Sequence, residues 1–447
     1  MRVDDFSQEG YFWLKDEQNK KFSGTVTVKN GGNSTLKIQV DDYANLKEFQ
    51  DKFWQQKENI IIYGDCNNKF SVFLDCFIQT VGNNFVLFQI GKSIFDTLPN
   101  YDFSKPKFIK FSFDNIYTWV KNNFKVIENE ISYENKKVFL EFPIRNDVVL
   151  FSNQDFEISV NFLYQTKHNE QINDYTSSII EKPYIQISIL NDNCSNFEFL
   201  FEKIYKFIGF ILIDAGKISS LTNVQVGYVE NYFSPIYYTS SPFISELKDV
   251  SKSDFCFGLD SIIKLKENNI DIIKTWFDNF DHLSNSLNLY INKKSAKNVH
   301  IDTHFVWLTQ ALEGFHKLAI DNKKIILKER LEKLFEVTDI LEMKLFDIAK
   351  IKSLVPNIVK LRNHFIHSNN EFQMGQKLAY NILAFNYLLE LIYLLNLLKF
   401  LGLNDNHLQG LLTVHIKGYH LQNTKNHTAK FINDYFAMEN QNPQNGA

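Results

Sequence analysis

The sequence predicts an α+β protein, with a β-rich N-terminal region, sandwich or barrel-like, followed by an all-α bundle. Three observations predict it. Apolar and polar residues alternate with a period of two through most of the first 195 residues, with turn signals between the runs. From about residue 257 the apolar period becomes helical and stays so. The 42 Phe and 20 Tyr, set against only 17 Gly and 8 Pro, describe a chain rich in core-forming side chains and poor in linkers. A chain of 447 residues exceeds the roughly 250 residues at which single cores stop growing. Two domains are therefore expected, at 1–256 and 257–447.

Taken in order, KFSGTVTVKN and STLKIQVDD are joined by NGGN, a hairpin signal. NIIIYGD, KFSVFLDCFIQT, NNFVLFQIG, KFIKFSF, KKVFLEFPI and YIQISIL continue as strands. NFEFLFEKIYKFIGFILID (196–214) reads as a helix, and NVQVGYVENYF returns to strand. After 257, five helical segments follow: GLDSIIKLKENNIDIIKTWFDNFDHL, IDTHFVWLTQALEGFHKLAI, KKIILKERLEKLFEVTDI, LVPNIVKLRNHFIHS and GQKLAYNILAFNYLLELIYLLNLLKFLGL. The apolar run 382–403 has the length of a membrane span, but Asn386, Glu390, Asn396 and Lys399 interrupt it. A buried helix or subunit interface is expected there, with no membrane.

The net charge of −4 gives no global attraction to polyanions, so any such site is local. Residues 296–447 hold 17 Lys and Arg against 14 Asp and Glu, which makes the C-terminal part the better host for an anionic substrate. Four cysteines without a CxxC pair, and an N-terminus without an apolar leader, predict a reducing cytoplasm. His300 and His304 stand four apart in HIDTH, but the Glu of HExxH is missing and a helix start is the preferred reading. The aromatics of ENYFSPIYYTSSPF (230–243) suit core packing better than a ligand surface. GxxxxGK[ST], GxGxxG and GxSxG patterns are absent, which removes the main support for NTPase, dinucleotide-binding and serine-hydrolase readings.

The chemistry concentrates in VPNIVKLRNHFIHSNN (355–370). On a helix starting near Pro356, Ile358, Val359, Leu361, Phe365 and Ile366 form one apolar arc, while Asn363 and His367 stack on the other side. Arg362 falls within the apolar arc, where an unpaired guanidinium is costly, so it must reach an anion, a carboxylate or a cleft. Five steps place Arg362 and His367 about 140° apart on a straight helix, too far to aim easily at one atom unless the end frays or a second copy of the helix faces the first. Histidine is the usual base for removing the 2′-hydroxyl proton of RNA, and a guanidinium supplies paired donors to the phosphate. Asn363 would hold the phosphate or orient the imidazole. The bland alternative is a buried Arg362 paired with a carboxylate and a solvated His367.

RNHFIH resembles the R-x4-H pattern, with a polar residue after the Arg, of HEPN-domain ribonucleases. FVWLTQALEGFHK (305–317) and the leucine-rich helix after the motif are similar to the ApeA-type HEPN domain of bacterial anti-phage abortive-infection proteins, over about residues 300–403. A long β-rich region ahead of that domain suits the same family. The resemblance implies a metal-independent endoribonuclease without cofactors, acting as a homodimer through the HEPN bundle with two motif helices facing each other. It assigns Arg362 to the transition state, His367 to acid or base and Asn363 to assistance. Glu313 and His316 become candidates for support, although Glu313 equally fits a structural pairing with an arginine. His364 suits a solvated or interface position beside the site. The implied partners are RNA and a phage-derived trigger at the N-terminal domain. The alternative from another class is a non-catalytic recognition protein, a β-sandwich binding module with a helical dimerisation bundle.

Overall fold

In a computed structural model the described residues are 1–15, 17–40, 60–124, 130–134, 137–141, 144–171, 174–215, 219–239, 263, 265, 271–296, 299–337, 352–367 and 376–408. They fall into two compact units. One comprises residues 1–117, 126–205 and 219–249; the other comprises 118–125, 206–218 and 250–447.

The first unit is antiparallel β. Strands β1 (Phe6–Leu14), β2 (Phe22–Lys29), β3 (Asn33–Gln39), β4 (Ile60–Cys66), β5 (Lys69–Val81) and β6 (Phe85–Ile94) run in the order β6-β3-β2-β1-β4-β5, and β5 pairs back to β6. The sheet therefore closes on itself as a six-stranded barrel. Alternation produces it: Val26, Val28, Leu36, Ile38, Ile62, Phe73, Val86 and Phe88 point inward. NGGN makes the β2–β3 turn, with φ of 97° at Gly31 and 80° at Gly32, values that suit glycine. Phe12 fills the barrel beside Gly24 and Gly64 on the flanking strands, where a Cβ would lie 3.0 Å and 2.9 Å from its ring. Cys66 and Cys76 are buried and free, and burial raises both thiols, Cys66 to about 11.

Strands β7 (Phe108–Phe113), β10 (Val148–Ser152), β11 (Phe156–Gln171), β12 (Asp174–Ile189), β13 (Leu221–Val229) and β14 (Tyr232–Tyr238) extend the same sheet from β6 in the order β14-β13-β7-β12-β11-β10. The hairpin of β8 (Glu130–Glu134) and β9 (Lys137–Glu141) forms a sheet of its own. β1, β8, β10, β11 and the short helix α1 (Ile116–Asn123) escape the sequence reading. FSQEGYFWL mixes polar residues with its aromatics, and half of β11 is polar, so neither shows an unbroken alternation. The 230–243 aromatics pack: Tyr238 stacks on Phe201 at 3.9 Å, and Tyr237 meets Phe6 at 5.3 Å, whereas residues 240–243 lie outside the described residues.

The second unit holds α3 (Asp271–Ser295), α4 (Ile301–Phe315) with a π-helical turn at His316–Ile320, α5 (Leu327–Phe335), α6 (Val355–His367) and α7 (Gln376–Phe400). It also takes in the end of α1 and the second half of α2 (Phe197–Ala215). Trp119 of α1 donates its indole N–H to Asp214 of α2 at 2.8 Å, and the other Asp214 oxygen accepts from the Ile263 amide at 2.8 Å. Asn123 accepts from the Leu265 amide at 2.9 Å. Phe207, Phe210 and Ile211 of α2 are fully buried, and Phe210 meets Trp276 of α3 at 6.1 Å. Gly209 lets Trp276 come within 3.3 Å of where a Cβ would stand.

α7 is buried on nearly every side from Phe385 to Leu398, and each polar residue in that run anchors a different neighbour. Asn386 donates to the Ile301 carbonyl of α4 at 2.9 Å. Glu390, 3% exposed, accepts from Tyr290 at 3.3 Å, from Lys294 at 2.9 Å and from Lys293, all on α3. Asn396 donates to the Leu334 carbonyl of α5 at 3.0 Å. Among the described residues no helix is long and apolar enough to cross a membrane.

Because α1 and α2 supply part of this core, a fragment starting at residue 257 loses Trp119, Phe207, Phe210 and Ile211. We expect it to aggregate or to melt without a cooperative transition in thermal circular dichroism, where the full chain melts cooperatively. A soluble fragment with a sharp transition would refute this.

Candidate active site

Local sequence builds α6. Pro356 sits in the first turn, where its missing N–H costs nothing, and Val355, Ile358 and Leu361 bury one face. Val359, Phe365 and Ile366 are half-buried, so the predicted apolar arc divides into a covered strip and a partly open one. α4 packs beside it with Phe305, Leu308, Ala311, Leu312 and Phe315 buried. Phe305 meets Phe365 at 6.0 Å near the start of α4 and the end of α6, and Arg362 reaches Glu313 further along, so the two helices run antiparallel.

Arg362, the residue in the costly position, is half-buried. Its Nη2 donates to Glu313 Oε2 at 3.3 Å and its Nη1 to Asn363 Oδ1 at 3.3 Å. Nε is buried with no hydrogen-bond partner among the described residues. The guanidinium is thus held by one carboxylate, with donor capacity left over, and a carboxylate 37% exposed at its side chain can be exchanged for a phosphate. His367 ends α6 and is exposed. His364 is half-buried with its ring edge-on to Phe365 at 5.2 Å.

The structure brings Arg362, Asn363 and Glu313 together. His316 belongs to another group: fully buried at the π-helical turn, its Nδ1 accepts from Arg330 Nη1 at 3.0 Å, and Arg330 also donates to the carbonyls of Asp321 at 3.1 Å and Lys323 at 2.7 Å. An arginine cannot accept, so the His316 proton sits on Nε2. Burial, and then the neighbouring Arg330 charge, hold this imidazole below its usual value and therefore neutral. His300 stands at the cap position of α4 and Asp302 bonds within its first turn, as a helix start requires. Sequence reasoning missed Arg330 and the Glu390 cluster. A lone carboxylate inside an apolar helix was the signal for the second, because it needs cations from elsewhere.

Two family models match the chain. Residues 306–407 match the Apea-like HEPN domain, so the α4–α7 bundle carrying the Arg362 motif is a HEPN domain, a class whose members are generally ribonucleases and typically dimerise. Residues 7–276 match ApeA N-terminal domain 1, which spans more than half of the sequence, and the chain belongs to the ApeA family. Together the two domains suggest an ApeA-like defence nuclease. No curated protein and no solved structure matches the chain.

Glu313 and Glu390 should respond differently to substitution. Glu390→Ala leaves Lys293 and Lys294 without their buried counter-charge and is expected to cost on the order of 3–5 kcal/mol. Glu313→Gln, at a partly exposed pair, is expected to cost no more than about 1 kcal/mol. Urea denaturation of the two variants checks the ranking. For His316 the lowered folded value means that the unfolded chain takes up the proton first as the pH falls through about 6.5, so stability drops below that pH. Denaturation midpoints followed downward from neutral pH should fall less steeply for His316→Gln than for the wild type.

Proposed function

We propose that this chain is a metal-independent endoribonuclease of anti-phage abortive infection. One observation carries the reading: on the motif helix of a HEPN domain, a half-buried guanidinium with unused donors stands beside Asn363 and on the same helix as an exposed His367. His367 takes the proton of a ribose 2′-hydroxyl. The 2′-oxygen attacks the adjacent phosphorus, the bond to the 5′-oxygen breaks, and the proton that the imidazolium gives up, directly or through water, ends on that oxygen. The products are a 2′,3′-cyclic phosphate and a 5′-hydroxyl. Arg362 and Asn363 hold the non-bridging oxygens as charge builds on them, and Glu313 keeps the guanidinium oriented until phosphate replaces it. With Arg362 and His367 about 140° apart on one helix, two copies facing across a dimer complete the site from complementary halves. The half-buried strip of Val359 and Ile366 suits such a contact.

The N-terminal unit, which contains a closed barrel core, is proposed as the sensor that keeps the nuclease quiet in the cytoplasm until a phage-derived trigger binds.

The test incubates total RNA with the full-length protein in excess EDTA, with and without extract of infected cells. Wild type is expected to leave 2′,3′-cyclic phosphate ends, and Arg362→Ala and His367→Ala to fall by on the order of a hundredfold or more while still folded. Equal cleavage by wild type and His367→Ala would sink the assignment, as would a monomer by light scattering that still cuts RNA.

A further inference from the structure

Beyond the barrel, the extended part of the sheet has two sides of different chemistry. The strand register aligns Val149 of β10, Ser159 of β11, Gln186 of β12, Lys110 of β7, Gln225 of β13 and Pro235 of β14 in one row, so all of them project to the same side. Ile109, Phe111, Val160, Ile185 and Val226, which alternate with them, are fully buried on the other side. In the row itself Gln186, Lys110, Gln225 and Pro235 are only half-buried. Val149 and, two places beyond Asn161 on β11, Leu163 stand 48% and 49% exposed on that same side.

Lys110 occupies the middle of this surface. Its ammonium lies 3.5 Å from the centre of the Phe233 ring and 4.7 Å from that of Tyr184, side chains of the rows on either side. Among the described residues no carboxylate is within ion-pair distance of it; Asp147 acts from further away and accepts from Asn161 at 2.7 Å. Burial holds the ammonium below the ordinary lysine value, with the Asp147 charge opposing. Gln186 donates to the Ser188 hydroxyl at 2.9 Å, and the Gln225 side chain makes no hydrogen bond among the described residues.

Aromatic faces replace part of the water that an ammonium gives up, but they leave it without a counter-charge, so an arriving anion gains more there than at a fully hydrated lysine. The surroundings have the make-up of a protein interface, with aromatic and aliphatic side chains, amides and few charges. A nucleic-acid strand asks for several cations along its backbone, whereas this row offers one, with Asp147 and Glu157 on the same side. We propose that this side of the sheet is a docking surface for a protein segment that carries an aspartate or glutamate among apolar residues. The carboxylate closes on Lys110, and the apolar side chains lie against Tyr184, Phe233 and Val149. Gln186 and Gln225, the register neighbours of Lys110, give their amides to the backbone of the segment. The inference stands on the sheet alone and needs neither the nuclease nor the sensor reading.

The test selects random peptides displayed on yeast against the full-length protein and remakes the enriched sequences as fluorescent peptides. These should place Asp or Glu beside aromatic or aliphatic residues and should bind Lys110→Gln at least roughly tenfold more weakly than wild type, while Lys110→Arg retains most of the affinity. Changing the peptide's acid to its amide should weaken binding to wild type by a similar factor and to Lys110→Gln hardly at all, because the two groups act as a pair. Thermal melts establish that both variants are folded. A selection that enriches nothing, or peptides that bind Lys110→Gln as tightly as wild type, overturns the docking surface. A single-stranded RNA whose binding depends on Lys110 where that of the peptides does not would make it a nucleic-acid surface, and a changed mass of Lys110→Gln by light scattering would make it a contact between copies of this chain. Either result removes the proposal.

Discussion

The helical unit depends on how a helix with no solvent face finds its register. α7 is surrounded by apolar side chains, and dispersion and hydrophobic attraction are nearly blind to rotation or sliding along such a helix. Its polar residues supply the missing directionality. Asn386 fixes the start of α4, Glu390 the end of α3 and Asn396 the end of α5. Each anchor has few acceptable partners, because an unsatisfied polar atom in that core is expensive. Ser286 adds a further tie, donating to the Ala311 carbonyl at 2.7 Å while bonding Tyr393 at 3.0 Å. The position of α4, and with it Glu313, follows from these contacts.

Arg362 occupies a compromise. It lies next to the buried Leu361, where only a partnered guanidinium is tolerable, yet the partner is a carboxylate open enough to water to be displaced. A fully buried pair would hold the arginine more firmly, and an exposed one would leave it unaimed. Rigid helices on both sides of the pair keep the guanidinium in place without a loop rearrangement. The Glu390 cluster shows the other extreme, a carboxylate at 3% exposure gripped by two lysines and a tyrosine, where the charge serves packing first.

In the β unit, closure plays the part that polar anchors play in the helical one. Pairing β5 back to β6 satisfies strand edges that would otherwise recruit other chains, and the sheet then continues outward through β14 to β10. Large aromatics such as Phe12 and Phe73 fill a small barrel, and glycines on neighbouring strands make room for them.

Much of this was legible from the sequence. Period two followed by period 3.6 gave the α+β order, NGGN gave the β2–β3 turn, and RNHFIH within its helical setting gave the HEPN resemblance, because these signals are local or nearly so. That Arg362 needed an anion, a carboxylate or a cleft also followed from sequence, since residue type and helix face set where an unpaired guanidinium would be costly. A pairing of Glu313 with an arginine was one of the readings its position allowed, whereas that His316 goes to Arg330 and that the barrel closes through β5 and β6 are long-range facts. They rest on which elements pack together, and no local pattern encodes that. The same reason hides the share of α1 and α2 in the helical core: their apolar faces are evident in the chain, but only tertiary packing decided which core they complete.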